Sequence, residues 1–213
     1  MTLKNKFIKF ALPYLLSYFL QTLYGMADLY IIGQFGQAKD ITSVALGSQV
    51  MHMVTVMLVG LAMGTTVMIA QSVGAKKEKD TSYYIGNSIT IFLVVAIVLT
   101  IGLVLSLQGI VSILSTPQEA ITGTSQYLLV CFLGVPCIIA YNLLASIFRG
   151  MGDSKTPMYF IAIACGVNIL LDYVFMGIYH SGPIGAAFGT ILAQASSVLF
   201  ALVSIIKKKM VKI

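Results

Sequence analysis

Six long apolar runs decide what this chain can become. They lie near residues 7–33, 43–70, 84–106, 123–148, 158–179 and 184–206, and each reaches the roughly 20 residues that a helix needs to cross a hydrocarbon core of about 30 Å. With 58% hydrophobic and only 9% charged residues among 213, the chain is too apolar for a soluble domain of its length. The runs are continuous and rich in Leu, Ile, Val, Ala and Gly, whereas a membrane barrel strand alternates apolar and polar residues over about ten positions. The sequence therefore predicts an all-α integral membrane protein, a single transmembrane domain over 1–213 with six helices.

Basic residues set the orientation, because Lys and Arg are retained on the cytoplasmic side. Lys4, Lys6 and Lys9 precede the first run, and Lys76, Lys77 and Lys79 follow the second. Arg149 and Lys155 follow the fourth, and Lys207, Lys208, Lys209 and Lys212 close the chain. Both termini are predicted to be cytoplasmic, with Lys39 alone outside, in a multi-pass protein of the cell's inner (plasma) membrane. The net charge of +6 is then explained by topology and by anionic lipid. Membrane lipid is an expected partner and nucleic acid is not. The first run is too long for the 7–15-residue apolar core of a secretory signal and carries no evident small-residue cleavage site, so it reads as a span. Cys131, Cys137 and Cys165 lie inside runs without metal-type spacing and read as small core residues.

Charge at membrane depth is scarcer and says more. Of the seven acidic residues, Asp40, Glu78, Asp80, Glu119 and Asp153 fall in or near loops, leaving Asp28 in the first run and Asp172 in the fifth. An aspartate at a helix centre costs about 2.5–3.5 kcal/mol, so the pair costs on the order of 6 kcal/mol. No Lys or Arg lies at that depth to offset it. The remedies are protonation, a bound cation or a polar network facing water, and all three point to ion or proton handling. Counting about 1.5 Å per residue from the outer ends of their runs places Asp28, Asp172 and Thr190 each roughly 9–12 Å deep, so they can converge. Tyr24 stands four residues before Asp28 and Asn168 four before Asp172, so each pair shares a helix face. Two carboxylates, an amide, a phenol and the Thr190 hydroxyl together offer hard oxygen ligands for Na⁺, or a cage that shares a proton. The plainer alternative is polar glue between helices, which suits a lone Asn or Thr better than two unpaired aspartates at matched depth.

Pro13 lacks an N–H and is expected to kink the first helix about a turn above its cytoplasmic end. Gly60, Gly64, Gly166, Gly185 and Gly189 read mainly as close-packing positions, and Tyr141 and Phe148 as packing or interfacial aromatics rather than cavity lining. GMGD at 150–153 matches the GxGD pattern of intramembrane aspartyl proteases, yet Asp153 lies in a basic loop between Arg149 and Lys155. GMGDSKT also lacks the GxxxxGK[ST] spacing of a phosphate-binding loop. The stretch reads as a tight turn, with Asp153 or Ser154 capping the next helix and Pro157 in its first turn. No enzymatic activity is expected.

RGMGDSKTPM after the fourth run, MADLYIIGQFG in the first, QSVGAKKEKD after the second and NILLDYVFMG in the fifth together resemble the MATE (multidrug and toxic compound extrusion) family. The likeness covers the whole chain but only the first half of such a transporter. It implies one six-helix lobe of a twelve-helix secondary antiporter that exports drugs and other organic cations in exchange for Na⁺ or H⁺, with no cofactor besides that coupling ion. It also implies that Asp28, Asn168, Asp172 and Thr190 bind the cation or proton, Na⁺ included. Tyr24 and Asn142 match polar neighbours of that site, and Pro13 matches the bend of the first helix. The alternative is a lipid-linked saccharide flippase of the wider superfamily, for which more cationic residues lining the cavity would be expected; a non-transporting membrane scaffold is a third class. The chain stops at KKKMVKI, where a full member would continue. Because one lobe forms one wall of the central cavity, the resemblance implies a second six-helix lobe as partner, whether the missing half of a truncated chain, the other half of a split transporter or a second copy.

Overall fold

Backbone N–H and C=O groups find no water inside a hydrocarbon core, so a chain that crosses it satisfies them within helices. The computed structural model describes residues 3–208, and its helices fall over the apolar runs. Lys209 and Lys212, and the side chains of Lys4, Lys6, Lys207 and Lys208, lie outside the described set. In chain order the helices are α1 (Leu3–Phe35), α2 (Ala38–Gly74), α3 (Glu78–Leu105) and the short α4 (Leu107–Ile113). They continue with α5 (Gln118–Leu133), α6 (Val135–Gly150), α7 (Lys155–Asp172) and α8 (Gly182–Lys208). A π-helical segment, Tyr173–Ile178, follows α7 directly. Five helices are long and apolar enough to cross a membrane, and α5 with α6, bent by 47° between them, makes a sixth span.

That bend departs from the continuous helix expected over 123–148. Pro136 has no N–H to donate to the Phe132 carbonyl, and its ring crowds that carbonyl, so the helix breaks just before it. The break is sealed from α8: the Ile191 side chain occupies the space where a Cβ on Gly134 would stand. α1, by contrast, runs as one helix through Pro13, with Ser17 Oγ donating to the Pro13 carbonyl at 2.9 Å.

Burial follows helical spacing even though hydropathy does not. On α2 the buried positions include Gly47, Met51, Val54, Leu58, Ala62, Thr65 and Ile69, and on α3 they are Ile85, Ser88, Phe92 and Ala96, steps of three and four that mark one stripe per helix. The opposite faces are just as apolar, with Ile91, Leu93, Val94, Val98 and Ile101 of α3 exposed, as expected of side chains that meet lipid rather than water. Polar side chains turn inward and join helices. Thr65 bonds to Ser88 (3.2 Å), Ser48 to Tyr127 (3.0 Å), and Ser197 Oγ to the Phe160 carbonyl (3.0 Å).

α8 holds a middle position, packing on α7, α5 and α6, while α1 packs chiefly on α7 and α3 on α6 and α2. Cys131 and Cys165 are buried and Cys137 partly so, all as free thiols. Tyr141 and Phe148 belong to a small core cluster with Phe160 and Ile161. The glycines divide. Gly185 and Gly189 are approached closely by neighbouring atoms, but Gly60, Gly64 and Gly166 have nothing within 4 Å of where a Cβ would stand. Among the described residues no side chain or backbone packs closely on those three, so the close packing expected of them is not made within this bundle.

Candidate cation site

Two hydrogen bonds between α1 and α8 set the frame of the site. Thr190 Oγ1 donates to Asp28 Oδ2 at 3.2 Å, and Gln194 Nε2 donates to the Tyr24 hydroxyl at 3.3 Å. A step of four residues toward the C-terminus on α8 matches a step of four toward the N-terminus on α1, so the helices are antiparallel and the bonds are successive rungs, one helical turn apart. From the other side α7 brings Asn168 and Asp172, which with Thr190 surround the Asp28 carboxyl. The structure thus gathers Asp28, Asn168, Asp172 and Thr190, with Tyr24 one turn along.

Asp28, Asn168 and Asp172 are 2%, 1% and 0% exposed. Asp172 closes α7, and immediately after it the backbone opens into the π-helical segment, where the Tyr179 N–H reaches the Val174 carbonyl five residues back at 3.0 Å. Such widened turns recur at functional sites. On the facing helix, Asp172 Oδ1 lies where a Cβ on Gly189 would have to stand, so only a glycine admits the carboxyl there.

The hydrogen-bonding account of this seam does not close within the protein. Among the described residues, eight buried side-chain polar atoms lack a hydrogen-bond partner, and six belong here: Asp28 Oδ1, both amide atoms of Asn168, both oxygens of Asp172, and Gln194 Oε1. Buried polar groups are otherwise almost always paired, and leaving them unpaired is costly. Five of the six are oxygens, acceptors that positive charge or a donated hydrogen would satisfy. Carboxylate, amide and hydroxyl oxygens fit a hard cation such as Na⁺, and the two carboxyls can equally hold a proton. No group of three or more His, Cys, Asp or Glu side chains gathers among the described residues, so the donor set is not that of a soft-metal centre.

Asn142 lies on α6. Its Nδ2 donates to the Ile138 carbonyl at 2.8 Å, and it lines a cleft between α1 and α6 with Ser17, Gln21, Tyr141 and Arg149. Arg149 stands over the Tyr14 ring at 4.9 Å and donates from Nε to the Ala145 carbonyl at 3.0 Å. Ser17, Gln21, Tyr24 and Asp28 are spaced four, three and four apart, so one polar stripe of α1 runs from this cleft to the carboxyl pair. Asp153 serves α7 as a cap: its carboxylate accepts the backbone N–H groups of Lys155 (3.2 Å) and Thr156 (3.0 Å), a local role far from a protease dyad.

Gln194, only 5% exposed, was not among the residues expected here. Its spacing of four from Thr190, which mirrors that of Tyr24 from Asp28, is the signal that marks it.

Known proteins resemble the chain in sequence and in fold. The family model MatE matches residues 13–174. A Bacillus subtilis protein named "Probable multidrug resistance protein YpnP" is 30% identical over 97% of this chain and 46% of its own length. The Thermotoga maritima "Probable multidrug resistance protein NorM" is 32% identical over 90% of this chain and 42% of its own. Among solved structures, "Crystal structure of MATE in the bent conformation" superposes with a TM-score of 0.89 at 26% identity, covering 98% of this chain and 46% of that one. The chain spans about half the length of the relatives it matches, in keeping with a single lobe of a two-lobed transporter. It is a multi-pass helical membrane protein and belongs to the MatE family, the family of the MATE multidrug transporters.

Proposed function

We propose that the chain is the cation-handling lobe of an exporter of drugs or other small organic cations, driven by Na⁺ or H⁺. The observation that carries this reading is the gathering of partnerless buried oxygens from Asp28, Asn168, Asp172 and Gln194 in one seam between α1, α7 and α8. A purely structural polar contact would be selected to satisfy its own atoms; a bound cation or a shared proton would complete this one. The names of the relatives, multidrug resistance and multidrug export proteins, support the substrate class.

In this account Asp28 and Asp172 hold the coupling ion and release it toward the cytoplasm. Occupancy changes which groups Thr190 and Asn168 bond, α1 bends near Pro13, and the affinity for substrate changes in the opposite phase. Coupling requires that ion and substrate favour different states of the lobe. A second six-helix lobe, as a separate chain, a continuation or a second copy, supplies the other wall of the cavity. The protein resides in the cell membrane with both ends of the bundle's chain on the cytoplasmic side.

Efflux of a fluorescent cationic dye from cells expressing the chain, alone and together with a second lobe, tests this reading. Efflux that is lost in Asp28→Asn and in Asp172→Asn is the expected result. Efflux that persists in both variants, or membrane-inserted protein that moves no dye in either arrangement, would refute it.

A further inference from the structure

We propose that Gln194 is a Na⁺ ligand of this seam, its side-chain oxygen forming the inner end of the ion's site between the carboxyl pair and the α1–α6 cleft. This rests on the cation-coupled reading above and deepens it by naming the ion.

Position is the first argument. The Gln194–Tyr24 rung lies one helical turn, roughly 5 Å, from the Thr190–Asp28 rung. The next polar residues on that face of α1, Gln21 and Ser17, line the cleft. Gln194 therefore flanks the polar stripe of α1 that joins the carboxyls to the cleft.

Its bonding is the second. Nε2 is committed to the Tyr24 hydroxyl, which fixes the amide plane and turns Oε1 away from the phenol. Oε1 is buried and accepts nothing from the protein. A glutamine whose task was to tie α1 to α8 would be complete with the first bond, yet here a strong acceptor is left buried without a partner, one helical turn from the Asp28 carboxyl.

Chemistry is the third. An amide oxygen is a neutral, hard ligand for a cation but does not take up a proton in the physiological range. Two carboxyls suffice to hold a proton between them. This site adds the partnerless amide oxygens of Asn168 and Gln194, one from α7 and one from α8, which is the donor set of a small monovalent cation.

The test is a Na⁺ titration of the purified chain in detergent micelles, read as the rise in Tm at constant ionic strength with choline as the replacement ion. Wild type is expected to be stabilised by Na⁺. Asp28→Asn should lose the response. Gln194→Leu should keep it but need about tenfold more Na⁺ for half the effect, and Gln194→Glu should restore the wild-type requirement or lower it. Should Gln194→Leu fail to fold, Gln194→Met, of nearly the same length, decides in its place. A Gln194→Leu titration that overlays wild type while Asp28→Asn is unresponsive overturns the inference and leaves the carboxyl site standing, with Gln194 only an interhelical tie. A wild type that responds to pH but not to Na⁺ overturns the choice of ion. One that responds to neither overturns both this inference and the reading beneath it.

Discussion

The carboxyl of Asp172 is seated directly on the backbone of Gly189, with Oδ1 in the space a side chain at 189 would fill. Asp172 is fully buried, so the carboxyl cannot be pushed aside without moving into packed protein. Gly189→Ala is predicted to displace it, destabilising the chain by about 1–3 kcal/mol and weakening ion-dependent transport by at least about tenfold. Thermal unfolding in micelles and dye efflux measure the two effects. A variant that transports normally would show that the position of Asp172 is not critical.

Thr190 donates a hydrogen bond to Asp28 from outside the helix that carries it. A bond to a charged group contributes about 1.5–3 kcal/mol, so Thr190→Ala should raise the ion concentration needed for half-maximal transport by about tenfold or more. Thr190→Ser keeps the hydroxyl and should stay within about twofold of wild type. Ion titrations of dye efflux distinguish the two.

Gly134 stands at the break between α5 and α6, filled from α8 by Ile191, the sequence neighbour of Thr190. Gly134→Val should force Ile191 out of the notch at a cost of about 1–3 kcal/mol and shift Thr190 with it. The prediction is a lowered Tm together with a weaker ion response, whereas a substitution that acted on packing alone would lower Tm and leave the ion requirement unchanged.

Asp153 provides the matching control. It caps the first turn of α7, 15 residues from Asn168, or roughly 22 Å along the helix. Asp153→Ala should cost about 0.5–2 kcal/mol of stability, seen as a lowered Tm, and leave the ion requirement where it was.

Much of this was legible in the sequence, for a specific reason. A carboxylate inside an apolar run has few explanations, so Asp28 and Asp172 announced themselves, and helical spacing and depth then drew in Asn168, Thr190 and Tyr24. Gln194 escaped because a glutamine among Ala and Ser in a glycine-rich helix looks like ordinary interhelical polarity; only its register against Tyr24 sets it apart. The break at Gly134 escaped because hydropathy records side chains, while the loss of a backbone hydrogen bond at Pro136 is a main-chain event within an unbroken apolar run. The π-helical segment after Asp172 has no signature in its residues, YVFMGI. Asn142, matched to the site through family likeness, lines the cleft that the polar stripe of α1 joins to the carboxyl pair.

The most direct measurement is dye movement in proteoliposomes holding the chain, with a second lobe supplied, under an imposed Na⁺ gradient and then an imposed pH gradient. The account predicts movement that follows one of these gradients in wild type, disappears when ionophores dissipate it, and is absent in Asp28→Asn and Asp172→Asn although both still bind dye. Movement at the wild-type rate in either variant, or movement indifferent to both gradients, would contradict it.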